Sequence, residues 1–458
     1  MRTLTALVFA AGMCLASSAA FSQCNGRYYD RIFPGFFNWE NFPLPTNLPP
    51  SVVYGSAVNY RNVTETLDMY IFQPQGDTVG NPYYVEKRPL IVLAFGGSFI
   101  MGAKESPDII ALCNEFTRRG FVTASIKYRI GADPIDSVNM LRAVMRGVQD
   151  ARAAIRFFYK DAATTNTYRI DTNNIFMGGV SAGAFIGIHL GFITDSLETP
   201  QWLNDIVRPL GGFEGNSGNP GYSSKVRGII NLAGAIGDTA WIDACDPPMV
   251  SMHGTDDGTV PYCSEVIAVS GNELIVVDGS ATIKSRMAHL GLNNPFYTWR
   301  GGGHVDFTNY FLFQSQYKPF VDTTIWFIRD FLYEELTGIS CDSALRNQGT
   351  IPTPCGTPIE YGSKECSISA IKPDILNNDF SIYPNPSGDK ISVTKPQQFT
   401  GSVKIEVFDN LGRLIKTYRH ITDKAEISKK ETGNGMFIIA ISPENTKGEI
   451  ARGKILFQ

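Results

Sequence analysis

Three short segments carry residue types that together could split an ester or amide bond. In Gly179-Val180-Ser181-Ala182-Gly183 a serine is flanked by glycines at two positions on either side, and such spacing suits a hydroxyl presented on a sharp turn where neighbouring backbones come close. A serine hydroxyl is a poor nucleophile until a base takes its proton. Only five histidines are available. His420 lies in a compositionally different C-terminal segment, and His189 follows Ser181 by eight residues on one helical stretch, too far along to turn back. His253 sits at a strand ending and His289 in a helical stretch. His304 follows the strand-like run 294–300 through Gly301, Gly302 and Gly303, which can set a loop at the strand's edge, so it is the expected base. An acid is needed to orient that imidazole and to stabilise its charge. The segment 248–261 supplies two, and Asp257 is preferred to its neighbour Asp256. For the negative charge that develops on an attacked carbonyl, backbone N–H donors are expected from Ala182 and from the turn Gly96-Gly97-Ser98. No metal or organic cofactor is expected for this chemistry.

These residues need a scaffold, and between 50 and 337 apolar strand-like runs alternate with helical stretches. That alternation predicts an α/β fold, a doubly wound and mostly parallel sheet with helices on both faces. Residues 67–74 alternate as an early strand, 89–97 read as a buried strand ending in glycines, and 122–129 follow as the next. Met140, Val144, Val148, Ala151 and Ile155 recur at spacings of three and four, which predicts an amphipathic helix over about 137–159. Residues 174–189 then read as strand, tight turn and helix around Ser181. Segment 195–225, with Trp202, Phe213, Tyr222 and several glycines, is expected to form a cap over the pocket. Asp108 and Asp150 are expected to cap or pair within the structure.

The chain of 458 residues carries 40 Lys+Arg against 44 Asp+Glu, a net charge of −4, which offers no basic footprint for nucleic acid. A basic Met1-Arg2-Thr3 start, an apolar run over 4–16 and small residues up to Ser22 predict a secretory signal peptide over 1–22. No run approaches the ~18 consecutive apolar residues of a membrane span. Beyond the signal are Cys24, Cys113, Cys245, Cys263, Cys341, Cys355 and Cys366. An odd number leaves one thiol over, and export permits disulfides. Bridges are expected within the cluster of Cys341, Cys355 and Cys366, and a Cys245–Cys263 pair would brace the acid loop. From about 376 onward, short alternating runs at 390–394, 403–408, 413–418, 436–441 and 453–457 predict a small all-β sandwich. That segment carries 12 Lys+Arg against 9 Asp+Glu, opposite in sign to the rest. The expected organisation is signal peptide 1–22, α/β catalytic domain 23–337, a Cys/Pro/Gly/Ser-rich linker 338–375, and a β-sandwich over 376–458.

Two resemblances follow from these residues. Tyr383-Pro-Asn-Pro, Asp409-Asn-Leu-Gly-Arg, Gly435-Met-Phe-Ile-Ile and the basic last strand resemble the type A sorting domain of the type IX (Por) secretion system. The resemblance implies recognition by that secretion machinery and a secreted or cell-surface location. Phe95-Gly-Gly-Ser-Phe, Tyr128-Arg129, Gln149-Asp150-Ala-Arg, Gly179 to Gly183, His253-Gly-Thr-Asp-Asp-Gly-Thr-Val-Pro and Gly303-His304, in that order, resemble the α/β-hydrolase superfamily. More narrowly they resemble its hormone-sensitive-lipase and feruloyl-esterase-like carboxylesterases, with Phe95 in place of the usual His and Ser98 in place of a third Gly. That resemblance implies a serine carboxylesterase with the chain order Ser, acid, His. Its expected substrate is a small or polymeric ester, such as acetyl or feruloyl esters of polysaccharides. The alternatives are a peptidase of the prolyl-oligopeptidase type and a non-catalytic binding protein on the same scaffold.

Overall fold

The computed structural model describes residues 24–36, 48–194, 199–308, 318–341, 355, 381–383, 389–395, 401–408, 414–433, 435–444 and 451–457. The expected signal peptide and nearly all of the expected linker, Cys366 included, lie outside the described residues. Among the described residues no helix is long and apolar enough to cross a membrane.

The strands in chain order are β1 (Ser51–Val58), β2 (Thr64–Phe72), β3 (Arg88–Ala94), β4 (Val122–Ile126), β5 (Ile170–Val180), β6 (Gly228–Leu232), β7 (Ala235–Ile236), β8 (Met249–Gly254), β9 (Ser264–Val269), β10 (Asn272–Gly279) and β11 (Phe296–Trp299). The principal helices among them are α1 (Pro107–Thr117), α2 (Ser137–Ala163), α3 (Ala182–Phe192), α4 (Gln201–Val207), α5 (Ser280–His289) and α6 (Lys318–Thr337). One sheet runs β1-β2-β4-β3-β5-β6-β8-β11; β1 and β2 are antiparallel to their neighbours and every other pairing is parallel. This is the mostly parallel α/β sheet that the alternation of runs predicts. Strands covered on both faces read as largely apolar runs, and β3, β4, β6 and β8 are buried at every position. The long helix α2 starts at Asp136, whose carboxylate accepts the Asn139 N–H. It runs one turn further than its apolar periodicity alone suggests.

Parallel pairing brings the carboxyl ends of successive strands to one edge. Val180 faces Leu232 across β5 and β6, and Gly254 faces Trp299 across β8 and β11. The chain leaves the sheet there through Ser181, through the 255–261 loop and through the 300–305 loop. Ligand sites of open α/β sheets form at this edge.

The C-terminal strands are β12 (Ser381–Tyr383), β13 (Lys390–Thr394), β14 (Val403–Phe408), β15 (Leu414–Ile421), β16 (Lys424–Ser428), β17 (Gly435–Pro443) and β18 (Ala451–Phe457). They form two antiparallel sheets, β12-β13-β16 and β15-β14-β17-β18, around a core that includes Ile391, Val393, Ile405, Val407, Ile427 and Ile439. The expected hairpin turn at 409–412 lies outside the described residues.

The disulfides differ from the expected clustering. Cys24 pairs with Cys341, and Cys263 pairs with Cys355, so the late cysteines reach back to the α/β domain instead of bridging one another. The expected Cys245–Cys263 brace does not form; Cys245 is bonded elsewhere. The leftover thiol is Cys113, buried in α1 with its pKa pushed up to about 12 by burial. Spacing carries no information on connectivity, because the fold alone decides which sulfurs meet. The Cys24–Cys341 bridge closes a loop of 317 residues. A Cys24→Ser, Cys341→Ser double variant is expected to lose about 2–5 kcal/mol of stability, read as a lowered urea midpoint; an unchanged midpoint would show that the bridge is not constraining the chain.

Candidate active site

The turn from β5 to α3 places Ser181 at φ 54°, ψ −117°, a left-handed φ that side-chain-bearing residues seldom adopt. Two features hold it there. The Ser181 N–H donates to the Leu232 carbonyl at 2.8 Å, and α3 presses against the end of β3. A Cβ on Gly183 would stand 2.0 Å from the Ala94 carbonyl oxygen, and one on Gly179 2.2 Å from the same atom. Both motif glycines are therefore required by close backbone approach. As the first residue of α3, Ala182 has an N–H with no intrahelical acceptor. The Gly96-Gly97-Ser98 turn runs alongside: a Cβ on Gly96 would lie 3.3 Å from that of Ser181, and Gly97 has φ 128°. Ser98 and Phe99 also take left-handed φ, 52° and 61°. Phe95, where the resembled group has His, is buried and stacks on Tyr128 at 4.2 Å, and the Tyr128 hydroxyl donates to the Phe95 carbonyl at 2.8 Å. The ring pins the start of this turn from beneath.

The three segments converge. His304 Nε2 lies 3.0 Å from Ser181 Oγ, and His304 Nδ1 lies 2.7 Å from Asp257 Oδ2. The acid and histidine loops are laced to each other: Thr255 N–H donates to the Trp299 carbonyl, Asp256 N–H to that of Gly302, and Gly301 N–H to Thr255 Oγ1. Gly254 is needed for this, since a Cβ there would strike the Gly302 carbonyl at 2.2 Å. Asp256 is exposed and accepts from Thr255 Oγ1, so of the adjacent pair only Asp257 reaches the imidazole. Asp257 Oδ1 accepts the Thr259 and Val260 N–H groups at 2.8 and 2.9 Å. Burial pushes the Asp257 pKa up, but hydrogen bonds from His253 and His304, and their charges, hold it far below the usual carboxylate range.

His253 is a participant that sequence reasoning missed. Fully buried, it places Nε2 3.2 Å from Asp257 Oδ2 and 3.1 Å from the Val260 carbonyl. Both neighbours are acceptors only, so Nε2 carries the proton and donates. Nδ1 lies 2.7 Å from Ser280 Oγ, which also takes the Asn231 amide at 2.9 Å. The available signal is the position of His253, four residues before Asp257 at the end of a strand.

The pocket beside Ser181 encloses about 60 Å³. Its walls are Phe99, Phe185 and the apolar face of α2, and its roof is the β9–β10 hairpin through Ile267, Val269, Leu274 and Val277. The described part of the expected cap, 199–225, does not line this pocket. That part packs on the far side of α2, where Glu214 pairs with Arg152 and Arg156, Gln149 donates to the Leu210 and Gly212 carbonyls, and Ser217 donates to Asp150. Buried arginines and Asp150 on α2 drew those polar groups inward. The hairpin that takes the covering place turns through Ser270 and Gly271, both at positive φ, and Ser137 at the head of α2 donates to its Leu274 carbonyl. Asp150 also pairs with Arg129 at 2.8 Å, and Asp108 is buried with its pKa raised by burial. Among the described residues no group of three His, Cys, Asp or Glu could hold a metal.

With this geometry in place, comparison defines the class. Residues 79–237 match the BD-FAE family model, and residues 381–452 match the secretion system C-terminal sorting domain. The 79–237 match marks this chain as a carboxylic ester hydrolase on an α/β-hydrolase fold carrying a BD-FAE-type region, and the 381–452 match marks a C-terminal sorting domain that points to secretion or the cell surface. No curated protein matches the chain. Among solved structures, Thermogutta terrifontis esterase 2 phosphorylated by paraoxon is similar at 21% identity, covering 65% of this chain and 99% of that chain with a TM-score of 0.46. The apo form of that esterase shows 20% identity, 66% and 99% coverage and a TM-score of 0.46; its propionate-bound form shows 22%, 62%, 94% and 0.43.

The remaining histidine on α3 makes a pH prediction. His189 is buried, stacked on Phe185, with Nδ1 2.8 Å from the Phe185 carbonyl, and burial lowers its pKa to about 4 from 6.5. The unfolded chain takes up a proton near pH 6.5 that the folded chain refuses until about pH 4, so stability is full above that window and falls across it by about 3 kcal/mol. His189→Gln is expected to flatten the stability profile between pH 6.5 and 4, measured by urea unfolding at a series of pH values; a slope equal to that of the native chain would refute the assignment.

Proposed function

We propose that this protein is an exported serine carboxylesterase that removes short acyl groups, acetyl foremost, from polysaccharides by way of an acyl-enzyme. The single observation that carries the reading is the hydrogen-bonded series Ser181, His304, Asp257 opening onto a small apolar pocket. In this reading His304 Nε2 takes the hydroxyl proton as Ser181 Oγ attacks the ester carbonyl, then returns it to the departing sugar hydroxyl. Asp257 holds the imidazole by Nδ1 and balances its positive charge. The N–H groups of Ala182 and of the Gly96-Gly97-Ser98 turn stabilise the oxyanion, each worth about 3 kcal/mol in the transition state. Water, activated by the same imidazole, releases the acid.

Acyl size follows from the pocket. A space of about 60 Å³ lined by apolar side chains suits a short acyl group such as acetyl or propionyl better than a feruloyl ring. The BD-FAE name joins feruloyl and acetyl activities, and this pocket favours the second. A polymeric alcohol is favoured by export, for which the sorting domain and the basic-apolar start of the chain together argue. We assign residues 1–22 to a signal peptide and 23–337 to the catalytic domain on the same grounds.

The native chain and its variants should be compared on p-nitrophenyl acetate, p-nitrophenyl octanoate, methyl ferulate, acetylated xylan and a prolyl anilide. Ser181→Ala and Asp257→Asn are each expected to lower kcat by about 10³–10⁴, with Asp256→Asn within about twofold of native. Acetate should exceed octanoate and ferulate at least tenfold in kcat/KM. Ester turnover that survives Ser181→Ala would overturn the mechanism, and serine-dependent anilide cleavage would make the protein a peptidase.

A further inference from the structure

A second cavity, of about 830 Å³, opens on the opposite face of α2 from the catalytic pocket, and the two share no lining residue among those described. Its walls are the end of β1, the 59–64 turn, the polar face of α2 and residues 208–217 of the segment expected to act as a cap. Four guanidinium groups line it. Arg129 is neutralised by Asp150 and Arg208 by Asp205. Arg142 and Arg146 have no carboxylate within ion-pair reach among the described residues; Arg142 reaches only the Asn139 side-chain oxygen at 3.3 Å, and Arg146 only the Gly131 carbonyl at 2.8 Å. Against their two positive charges the cavity sets one carboxylate, Asp133.

Arg146 is the informative member. It is 94% buried, and its Nε has no hydrogen-bond partner. Other arginines of this chain also leave Nε bare, but Arg27, Arg88, Arg118 and Arg152 each hold a carboxylate that compensates their charge. Burial lowers the Arg146 pKa to about 10, so the group stays charged at neutral pH. With a carbonyl as its only partner, the guanidinium keeps a buried charge that no carboxylate balances among the described residues, and an anion in the cavity it lines would offset that charge. Neutral hydrogen-bonding side chains, among them Asn59, Asn62, Asn139, Asn216 and Tyr60, line it alongside apolar ones such as Val58, Pro209 and Leu210. Tyr60 is seated against Gly131, where φ is 114° and a Cβ would meet its ring at 2.0 Å.

We propose that this cavity is an accessory binding site for an acidic sugar, a hexuronate unit of an oligosaccharide whose carboxylate is held by Arg142 and Arg146 and whose hydroxyls meet the surrounding amides. The planar guanidinium matches a carboxylate in two-point contact, and the volume exceeds what a small inorganic anion fills. The choice of a sugar rests on the reading of the substrate as a polysaccharide ester; the preference for an anion rests on the charges alone. A polymer threaded over α2 would be held by its uronate on one side while its acyl group enters the pocket on the other.

Isothermal titration calorimetry of the full chain with trigalacturonate, xylotriose and inorganic phosphate tests this without any turnover, since none of the three carries an ester. Trigalacturonate is expected to bind at least tenfold more tightly than xylotriose. Arg142→Gln should weaken it at least tenfold, yet leave hydrolysis of p-nitrophenyl acetate within twofold of native. Arg146→Gln should do the same where its melt shows a folded chain; the half-exposed Arg142 keeps the test available if it does not. Equal affinity for the two trisaccharides, or no effect of Arg142→Gln, would overturn the proposal, and phosphate binding as tightly as trigalacturonate would replace the sugar with a phosphate. Loss of p-nitrophenyl acetate hydrolysis on Ser181→Ala is a separate readout, so failure of the esterase mechanism and failure of this site are distinguishable.

Discussion

The Asp257 carboxylate is the anion about which the site is built. Removing such a group from water is tolerable only when its lone pairs are answered, and here two backbone N–H groups take one oxygen and two imidazoles the other. Those four donors fold the 255–261 loop back on itself, aim His304 at Ser181 and lock His253 beneath. Each partner is in turn committed elsewhere: His253 to Ser280, and the loop of His304 to Thr255 and Asp256. Geometry at Ser181 is thereby inherited, through His304, from burial of the Asp257 charge.

The serine side of the site obeys a different constraint, that of backbone contact. Where β3, β5 and α3 meet, the space between the Ala94 carbonyl and the helix admits no side chain, so Gly179 and Gly183 are sterically determined. The resulting left-handed φ at Ser181 is sustained by the bond to Leu232 in the next strand. Sheet pairing and the presentation of Ser181 are thus one structural fact, and the Phe95–Tyr128 stack extends it to the neighbouring turn.

Much of this was legible in the chain because Ser181, Asp257 and His304 each lie at or just beyond the end of a parallel strand with glycine close by. Apolar runs such as 89–95 declare buried strands, and Gly301 to Gly303 announce the loop before His304. What escaped reading depends on contacts made at long range. The aromatic and glycine mix of 195–225 suits a lid, but only the fold reveals that Arg152, Arg156 and Gln149 bind its described part on the other side of α2. The true roof, β9–β10, reads as two ordinary strands about Ser270-Gly271 and shows its role only through where the hairpin lands. His253 read only as the end of a strand, since its contact with Asp257 needs the loop to double back. Cysteine spacing likewise held no hint that Cys355 reaches Cys263.

That last bridge has a bearing on when the protein becomes itself. Cys263 stands between the acid loop and the roof hairpin, while its partner is encoded 92 residues later, beyond the end of the α/β sheet. The staple beside the pocket cannot close until the chain has been delivered past residue 355 into a compartment that oxidises thiols. Until then the hairpin is held by its turn, its sheet contacts, its core packing and side-chain bonds such as those of Ser137 and of Thr239 to Asp278. Completion of the pocket's surroundings therefore comes late in the order of synthesis, and the hairpin before closure and the hairpin after it are, at this corner, mechanically different.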